Sequence, residues 1–508
     1  MEVLKKYKKQ ILFHLFLNVI ISLLITFSSY YHLPLNSLVD YLSYFIHFVI
    51  LQFTVFGFVY LLTINKTIFY ITFPILFLIT SQFAYWVYIQ DISATEAIVQ
   101  SVIETKIDIV IDLISFPLII YILISLLGLF SILKAYKKLN INHLKSPLII
   151  ISIAGIITFF VVEKMHVVNL KNRLPYSLIL GVSNYVQKDY FQVSSINQTL
   201  TAITKDVNIV FVLGESVRAD HLQLNNYHRN TTPNLVREKN IISFPKIYTP
   251  LTYTAVSVPQ ILTNRSISSN LNNEKIYSIY SILNKININT TWIGNQSPEK
   301  SYDYFINENK NKILVDKFHS VLSFNKKRDN ALLPHFKETI KGNNPKFTTL
   351  HMIGSHWWYE SRYPDKFRVF KPVIKSKYIP SNTSEEMINS YDNTILYLDY
   401  FMSNIISSLK TSKTKTLLIY LSDHGELLGE NGKWLHAQED EASKNPAMIL
   451  WYSDEFKTAY PEIVAALKEN QFKFFSTDFF YHSILDLYKV QNFDYQKEKS
   501  VFSLKNED

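Results

Sequence analysis

Acidic and imidazole side chains closely follow two apolar runs of the sequence. The run Thr416 to Leu421 is followed by Asp423 and His424, and the run Asn208 to Leu213 is followed by Glu215. If both runs are strands of one open α/β sheet, these side chains lie at its carboxyl edge, where such sheets bind ligands. Two carboxylates and an imidazole suit zinc or manganese and leave a position open for substrate. The sequence therefore predicts a divalent-metal site built from these three residues.

A hydroxyl-rich segment offers a nucleophile for such a site. The segment Thr252-Tyr253-Thr254-Ala255-Val256-Ser257-Val258-Pro259 contains three hydroxyl groups. A hydroxyl beside a bound dication would have its pKa lowered and could attack a substrate. We take Thr254 as the best candidate, with Thr252 and Ser257 as competitors. Residue types alone do not rank the three, because Ser and Thr at a helix start commonly serve only as caps.

The segments around these residues have the pattern of an α/β domain. Short apolar runs alternate with helical patterns, and this order predicts a mostly parallel sheet with helices on both faces. The domain begins near Asp206. The predicted strands are Asn208 to Leu213, Ile288 to Ile293, Phe347 to Ile353, Thr416 to Leu421 and Ala447 to Tyr452, and the main amphipathic helix is Ser384 to Leu409.

The first third of the chain has the composition of a membrane domain. Five apolar stretches approach or exceed the roughly 20 residues that cross a bilayer core of about 30 Å. Buried core helices are the alternative, but five such lengths in succession with almost no internal charge argue against it. The predicted spans are Ile11 to Tyr30, Tyr41 to Ile64, Thr67 to Ile89, Ile109 to Leu133 and Pro147 to Val162. We therefore predict a multi-pass protein with the lipid bilayer as a partner.

Lysine placement predicts the orientation of these spans. Positive loops resist translocation, so the lysine-rich loops are assigned to the cytoplasm together with the amino terminus. The lysines are Lys5, Lys6, Lys8 and Lys9 before the first span, Lys66 after the second, and Lys134, Lys137, Lys138 and Lys145 after the fourth. The first stretch lacks an Ala-x-Ala cleavage site and is expected to stay as an anchor. An odd number of spans then places the metal domain in the periplasm or at the cell exterior, and the protein stays anchored in the membrane.

Composition limits the chemistry further. The chain of 508 residues has no cysteine and a formal net charge of +9. No thiolate can act as metal ligand or nucleophile, and the exported domain must depend on its hydrophobic core instead of disulfides. The positive surplus suits an anionic membrane surface, and we expect no nucleic-acid partner outside the cytoplasm. We predict three parts: a transmembrane domain of five helices (1–163), a bridging segment on the membrane surface (164–205) and a periplasmic catalytic domain (206–508).

Five ordered motifs resemble those of the membrane phosphoethanolamine transferases, which decorate lipid A or lipopolysaccharide core sugars. The motifs are Gly214-Glu215-Ser216-Val217-Arg218-Ala219-Asp220, Asn226-Tyr227, Thr254-Ala255-Val256-Ser257-Val258-Pro259, Tyr391-Asp392-Asn393-Thr394-Ile395 and Ser422-Asp423-His424-Gly425-Glu426-Leu427-Leu428-Gly429-Glu430-Asn431-Gly432. The preceding spans fit the same family, so the resemblance covers nearly the whole chain. It implies a five-helix transmembrane domain followed by an alkaline-phosphatase or sulfatase-like α/β domain with a mostly parallel central sheet.

The resemblance also implies a mechanism. Carried over residue by residue, Glu215, Thr254, Asp423 and His424 would bind the catalytic zinc ion, with manganese the weaker candidate. Thr254 would take phosphoethanolamine from phosphatidylethanolamine, leaving diacylglycerol. It would then pass the group to a hydroxyl or phosphate of lipopolysaccharide or lipid A.

Further residues gain expected roles from the resemblance. His356 and His436 match family histidines that contact the phosphoryl group or a second metal, and both suit charge stabilisation and proton movement in phosphoryl transfer. Asn295 and Lys300 fall where the family places polar substrate contacts, and Glu426 is a third predicted substrate contact.

Other functions stay open at this point. A different phospho-group transferase on the same scaffold could act on a periplasmic glucan or transfer glycerol phosphate. A sulfatase reaction is disfavoured, because Ser257-Val258-Pro259-Gln260-Ile261 lacks the arginine of the sulfatase activation motif. A non-enzymatic membrane scaffold would be expected to lose a metal ligand, and this sequence keeps all four. No residue selects among lipid A phosphate, a core heptose and a glucan as acceptor.

Overall fold

The protein, represented by a computed structural model, folds into two compact units. The structure describes residues 2–90, 92–105, 107–139, 143–166, 168–187, 192–267, 275–296, 299–315, 327–342, 345–438 and 440–504. The first unit comprises residues 1–102, 114–188 and 378–381, and the second comprises 103–113, 189–377 and 382–508. Residues 103–113 thus belong to the second unit, although their neighbours in the sequence on both sides belong to the first.

Five helices of the first unit are long and apolar enough to cross a membrane. They are Lys6–Thr26, Leu38–Ile64, Lys66–Gln90, Phe116–Lys137 and Leu148–Met165. The first of them begins as an α-helix, Glu2–Ile21, and ends as a π-helical turn, Ser22–Thr26. Shorter helices are Ser28–Tyr31, Glu96–Glu104 and Tyr176–Gln187, the last of which lies in the predicted bridging segment. The predicted number of long apolar helices is confirmed.

The fourth apolar helix begins later than the sequence analysis predicted. One span was expected from Ile109 to Leu133, but the structure has a separate helix, Ile107–Leu113, and the apolar helix starts at Phe116. Ser115 is extended, with φ −117° and ψ 159°, and its hydroxyl accepts a hydrogen bond from a backbone N–H of the first turn, which also contains a proline. Because a serine cap and an early proline favour a helix start, the predicted span was too long at its amino-terminal end.

A seven-stranded mixed sheet lies at the centre of the second unit. Its strands are β1 (Asn208–Gly214), β2 (Ile241–Phe244), β3 (Asn289–Gly294), β4 (Asn311–Leu314), β5 (Lys346–His351), β6 (Thr416–Ser422) and β7 (Met448–Tyr452), in the spatial order β2-β7-β6-β1-β5-β3-β4. Strands β6, β1, β5, β3 and β4 are parallel. Strand β7 is antiparallel to both of its neighbours, β6 and β2.

The prediction of a mostly parallel sheet is confirmed, and all five predicted strands are present. Strands β2 and β4 were not predicted from the sequence. Each has four residues and is only partly buried, so neither has the continuous apolar run of a strand that is covered on both faces. By contrast β1 and β6 are almost wholly buried, which is why their apolar runs stand out in the sequence.

Helices and short strand pairs complete the second unit. The helices are Pro233–Val236, Thr254–Ile261, Ile279–Lys285, Asp303–Glu308, Leu332–Thr339, Ser384–Lys410, Asp454–Ala459, Pro461–Asn470 and Phe479–Tyr488. The two-residue strands pair as Thr201–Ala202 with Val490–Gln491, Ile247–Tyr248 with Phe475–Ser476, and Leu427–Leu428 with Trp434–Leu435. Phe211 of β1 packs on Phe480, with ring centroids 4.1 Å apart. Burial of such side chains holds the strands that carry the site.

Candidate metal centre

Strands β1 and β6 lie side by side and end at the same level. Gly214 pairs with Ser422 in parallel register, so the next residues, Glu215 and Asp423, leave the sheet together at the predicted edge. The backbone N–H of Asp423 donates a hydrogen bond to the carbonyl of Gly214 at 3.3 Å. Glycine is needed at this position, because a Cβ atom there would clash with the buried side chain of Tyr420. Local packing thus fixes the start of the metal site.

Glu215, Asp423 and His424 form a buried cluster. Each offers one ligand atom, and these atoms lie within 4.8 Å of one another. The Nε2 atom of His424 is 3.4 Å from Oε1 of Glu215 and 3.4 Å from Oδ2 of Asp423. Its Nδ1 atom lies 2.7 Å from the carbonyl oxygen of Gly425. Since a carbonyl can only accept, Nδ1 carries a proton and Nε2 faces the cluster.

The ionisation of this cluster is set by burial and by mutual interaction. Burial and the carboxylate of Glu215 raise the pKa of Asp423 to about 7. Burial opposes the charge of His424, but the two carboxylates outweigh it and raise the pKa of His424 to about 10. Burial likewise opposes the charge of Glu215, whose pKa the His424 imidazolium nonetheless holds well below its usual range. The carboxylates therefore compete for positive charge, which a dication would supply.

The donor set fits a dication. Oδ1 of Asp423 accepts hydrogen bonds from the backbone N–H groups of Ser216 at 3.2 Å and His424 at 2.8 Å. Within the described ranges, no group donates a hydrogen bond to its buried Oδ2 atom. Glu215 accepts from the Ser216 hydroxyl at 2.8 Å and from the side-chain amide of Gln296 at 3.2 Å. Such outer hydrogen bonds orient ligand atoms, and a metal ion would satisfy the buried Oδ2 atom.

The structure separates the three candidate hydroxyls. Thr254 is the first residue of an eight-residue helix, and its hydroxyl donates a hydrogen bond to Oε2 of Glu215 at 3.0 Å and lies 3.5 Å from Nε2 of His424. Ser257 is fully buried, and its hydroxyl donates to a backbone carbonyl one turn earlier at 3.0 Å. Thr252 is buried in the segment before the helix. Thr254 is thus the hydroxyl placed at the cluster.

His356 reaches the cluster on the loop that follows β5. The N–H of Ser355 donates to the carbonyl of Glu215 at 3.0 Å, and Gly354, with φ +52°, approaches so closely that a Cβ atom would lie 2.8 Å from that carbonyl oxygen. Nδ1 of His356 lies 2.7 Å from the carbonyl oxygen of Trp357 and therefore carries a proton. Removal from water lowers the pKa of His356 to about 3. The ring is therefore neutral near pH 7, with Nε2 as a proton acceptor.

His436 reaches the cluster on a hairpin that follows β6. The short antiparallel pairing there returns the chain, so that Nδ1 of His436 lies 3.1 Å from Oε2 of Glu426. The other carboxylate oxygen of Glu426 accepts a hydrogen bond from the hydroxyl of Tyr359 at 2.9 Å. The His436 ring centroid is 4.9 Å from that of His424 and 5.4 Å from that of His356. The structure therefore brings both predicted histidines to the metal cluster.

The three predicted substrate contacts differ in their burial and in their hydrogen-bond partners. Glu426 is fully buried and engaged by two protein side chains, as described above. Asn295 is also buried, and its amide donates to the carbonyl of Lys327 at 2.9 Å and to Asp329 at 3.0 Å. Lys300 is exposed to solvent. Their roles towards substrate stay predictions, with Glu426 linked to the site through His436.

Asp392 joins two of the motifs away from the metal cluster. It is fully buried and accepts hydrogen bonds from Nδ1 of His221 at 2.7 Å, from the hydroxyl of Tyr227 at 3.0 Å and from Nη1 of Arg229 at 2.9 Å. A buried carboxylate with three donors is well paired, and its removal would leave buried polar partners unsatisfied. These motif residues therefore support the scaffold of the site.

Replacing Asp392 with alanine is expected to lower the free energy of unfolding by about 3–5 kcal/mol, because it breaks a buried ion pair. Thermal unfolding of the purified full chain would show this as a lower Tm, while the folded fraction keeps its metal. The matched control is Asp365→Ala, which removes a carboxylate whose side chain is 89% exposed and should leave the Tm nearly unchanged. Equal Tm values for the two variants would contradict the supporting role.

Two residues that the sequence analysis did not single out brace the His356 loop. Asp329 is buried and accepts hydrogen bonds from the backbone N–H groups of two consecutive residues beginning at Ile353, at 2.9 and 3.0 Å. Arg362 donates from Nε to the carbonyl of His356 at 2.8 Å and from Nη2 to that of Trp357 at 2.6 Å. Neither residue belongs to a recognisable motif. Their roles depend on tertiary contacts that the sequence does not display.

Comparison with known proteins decides the family. The Sulfatase family matches residues 207–490, more than half of the chain. The chain belongs to the Sulfatase family. The match begins at β1 and includes the metal cluster and Thr254. The sulfatase-like fold class implied by the motifs is thereby confirmed.

Two of the proteins similar to this chain are named phosphoethanolamine transferases. Phosphoethanolamine transferase EptA of Escherichia coli (strain K12) is 32% identical over 305 residues, which cover 58% of this chain and 55% of that protein. The chain thus spans about half the length of this relative. The periplasmic domain of phosphoethanolamine transferase EptC from Campylobacter jejuni is 29% identical, with a TM-score of 0.54 over 62% of this chain and 99% of that domain.

A full-length structure shares the whole architecture. The integral membrane protein lipooligosaccharide phosphoethanolamine transferase A from Neisseria meningitidis superposes with a TM-score of 0.84, covering 96% of this chain and 97% of that one at 22% identity. This likeness confirms the predicted order of five apolar helices followed by a sulfatase-like domain. The resemblance to membrane phosphoethanolamine transferases is confirmed by these relatives.

Proposed function

We propose that this sulfatase-family protein transfers phosphoethanolamine from phosphatidylethanolamine to lipopolysaccharide or lipid A, through a phosphothreonine intermediate on Thr254 at a zinc site. The observation that carries the proposal is the position of the Thr254 hydroxyl, 3.0 Å from Glu215 and 3.5 Å from His424. Thr254 also begins a helix, and helix N-termini favour anionic groups such as phosphoryl oxygens. The activities of the named relatives support the same substrate class.

In the first step the Thr254 oxygen bonds to the phosphorus atom of phosphatidylethanolamine. The bond from phosphorus to the glycerol oxygen breaks, and diacylglycerol leaves. One proton leaves Thr254, whose hydroxyl points at Oε2 of Glu215, and one proton is taken up by the glycerol oxygen. His436 is proposed to deliver that proton, because Glu426 holds its Nδ1 atom and so fixes the ring, as carboxylates do in catalytic triads.

In the second step an acceptor hydroxyl or phosphate oxygen bonds to the same phosphorus atom. The bond to Thr254 breaks, and the threonine hydroxyl regains its proton. His356 is neutral, and its Nε2 atom can accept the proton that an acceptor hydroxyl loses. The Trp357 carbonyl orients the ring, and the hydrogen bond from the N–H of Ser355 to the Glu215 carbonyl holds its loop in place.

The residues that would hold the metal ion are Glu215, Thr254, Asp423 and His424. Oxygen and imidazole donors suit zinc, with manganese the weaker alternative. When bound, zinc would lower the pKa of the Thr254 hydroxyl and offset negative charge on the phosphoryl group. The lysine pattern supports a cytoplasmic amino terminus and a periplasmic catalytic domain in the inner membrane.

Two other functions compete with this proposal. The same intermediate could pass phosphoethanolamine to a periplasmic glucan, and a different donor lipid would give glycerol-phosphate transfer. A non-enzymatic scaffold is disfavoured by the complete ligand cluster and by the nearby hydroxyl of Thr254. No contact in the described part of the chain distinguishes lipopolysaccharide, lipid A and a glucan as the acceptor.

Mass spectrometry of lipid A and core oligosaccharide tests the proposal. Cells that express the wild-type chain should gain a phosphoethanolamine increment on one of these fractions, and the fragment that carries it identifies the acceptor. Cells that express Thr254→Ala at the same level should lack it, whereas Ser257→Ala should retain it. Unmodified lipopolysaccharide beside a phosphoethanolamine-bearing glucan would contradict the lipopolysaccharide acceptor, and no modified glycan at all would contradict the transferase.

A further inference from the structure

Residues 103–113 contribute a carboxylate to the second unit. Although they stand between the third and fourth apolar helices in the sequence, they fold with the catalytic unit. Asp112, on the short helix Ile107–Leu113, is only 6% exposed. A buried carboxylate requires a partner.

That partner is Arg362, which is 2% exposed. Its Nη2 atom lies 2.9 Å from Oδ2 of Asp112. The second carboxylate oxygen lies 3.6 Å from Nζ of Lys377, whose ammonium group also donates to the carbonyl of Ile111 at 2.8 Å. The aspartate thus has one deeply buried cationic partner and one that is more exposed.

Arg362 is the residue that holds the backbone of the His356 loop. The Nη2 atom that contacts Asp112 also donates to the carbonyl of Trp357 at 2.6 Å, and Nε donates to the carbonyl of His356 at 2.8 Å. The Trp357 carbonyl is also the group that accepts the Nδ1 proton of His356. A chain of four groups therefore runs from Asp112 through Arg362 and the Trp357 carbonyl to the His356 ring.

We propose that Asp112 is a positioning residue for the transfer reaction, acting through Arg362 on the carbonyl that orients the His356 ring. This inference rests on the proposed function, because it assigns His356 a part in moving a proton. Without the carboxylate, the guanidinium group would be buried and unpaired beside the two carbonyls, and it would shift towards water or another partner. The carbonyl would then lose its fixed place, and the His356 ring would lose the hydrogen bond that selects its tautomer.

Kinetics of the metal-loaded full chain in vesicles that contain phosphatidylethanolamine and lipopolysaccharide test the inference. Asp112→Asn is expected to lower kcat for transfer of phosphoethanolamine to lipopolysaccharide about 10–100-fold, the range seen when a group that orients a site residue is lost. KM should stay within about threefold, because Asp112 does not touch substrate. Asp112→Glu keeps the charge and should recover part of the rate.

The matched control is Lys377→Met. It removes the other cation beside Asp112 and a bond to the same helix, but it leaves the contact with Arg362 intact, so kcat should stay near the wild-type value. If Lys377→Met lowers kcat as much as Asp112→Asn, the effect comes from packing of residues 103–113, and the positioning role is overturned.

A double-mutant comparison separates positioning from general stability. In a His356→Gln background, Asp112→Asn should change kcat by less than about twofold, because the group that it positions is already absent. A full 10–100-fold loss in that background would overturn the proposal. Thermal unfolding of every variant ensures that folded proteins are compared.

A readout that does not depend on turnover keeps this inference distinct from the proposed function. In ¹⁵N-histidine NMR spectra of the full chain, with His356→Gln used for assignment, wild-type His356 should show a single Nδ1-protonated tautomer. Asp112→Asn should shift these resonances towards a mixture of tautomers, while Lys377→Met should not. An unchanged His356 signal in Asp112→Asn would overturn the positioning role. Failure of the proposed function would appear instead as absence of diacylglycerol release by the wild-type chain.

Discussion

Replacing Thr254 with alanine should lower the rate of diacylglycerol release from phosphatidylethanolamine by on the order of 10⁴-fold or more, the scale seen when a catalytic nucleophile is removed. The reason is chemical: alanine has no oxygen that can bond to phosphorus, and the two-step route through a covalent intermediate is lost. Purified full-length protein in lipid vesicles, assayed by release of labelled diacylglycerol, measures this directly.

Two neighbouring hydroxyl changes serve as controls for Thr254→Ala. Thr254→Ser keeps an oxygen at the cluster and should retain part of the activity. Ser257→Ala removes a hydroxyl of the same helix that is bonded to a backbone carbonyl, and its rate should stay within a few-fold of wild type. Comparable activity in Thr254→Ala and Ser257→Ala would show that the nucleophile lies elsewhere.

Loss of the metal ligand Asp423 should have the second large effect. Asp423→Asn is expected to reduce bound zinc well below one ion per chain and to lower the transfer rate by about 10³-fold or more, on the scale of losing a preorganised charged group at the reacting atoms. In the wild-type chain a chelator should lower the Tm, because a ligand that binds only the folded state at a thousand times its Kd stabilises it by about 4 kcal/mol. The Tm of Asp423→Asn should be nearly insensitive to the chelator.

The matched control for Asp423→Asn is Asp220→Asn. Asp220 belongs to the same group of motifs, but it pairs with Arg218, and its side chain is 56% exposed. Zinc content and chelator sensitivity should match the wild type in this variant. Elemental analysis measures the zinc content, and thermal unfolding measures the sensitivity to chelator. A full zinc ion bound to Asp423→Asn would contradict the role of Asp423 as a metal ligand.

The predictable part of the site comes from the positions of its ligands along the chain. Glu215 and Asp423 directly follow the two strands with the longest buried apolar runs, and parallel strands bring such residues to one edge. Pairing of Gly214 with Ser422 could not be derived from composition, since register depends on the whole sheet. The candidate ligands were therefore predictable, whereas their separation was not.

The positions of His356 and His436 relative to the metal cluster could not be predicted from the sequence. The place of His436 depends on a hairpin whose turn has positive φ at Gly429, Asn431 and Gly432, and the place of His356 depends on a glycine that packs against Glu215. Sequence motifs name these residues, but loop geometry sets their distance from the metal cluster. Hydroxyl-rich segments pose the same problem, since the hydrogen-bond partners that separate Ser257 from Thr254 are set by the folded structure.

Asp112 shows how a span prediction can hide a polar residue. The apolar stretch from Ile109 onwards looked continuous, and the aspartate was absorbed into the fourth predicted span. An ionisable residue inside such a stretch is itself a signal, because charge is unfavourable in a bilayer. Together with the serine cap at Ser115, that signal could have divided the stretch and placed Asp112 outside the membrane helix.

The most direct test of the account is peptide mass spectrometry after the protein is mixed with phosphatidylethanolamine in the absence of acceptor. A covalent intermediate should then accumulate, with phosphoethanolamine on Thr254 and none on the same peptide of Asp423→Asn. Addition of lipopolysaccharide should remove the group from Thr254 and transfer it to the glycan. A chain that modifies the acceptor while Thr254 remains bare, or that carries the group on another residue, would contradict the phosphothreonine mechanism.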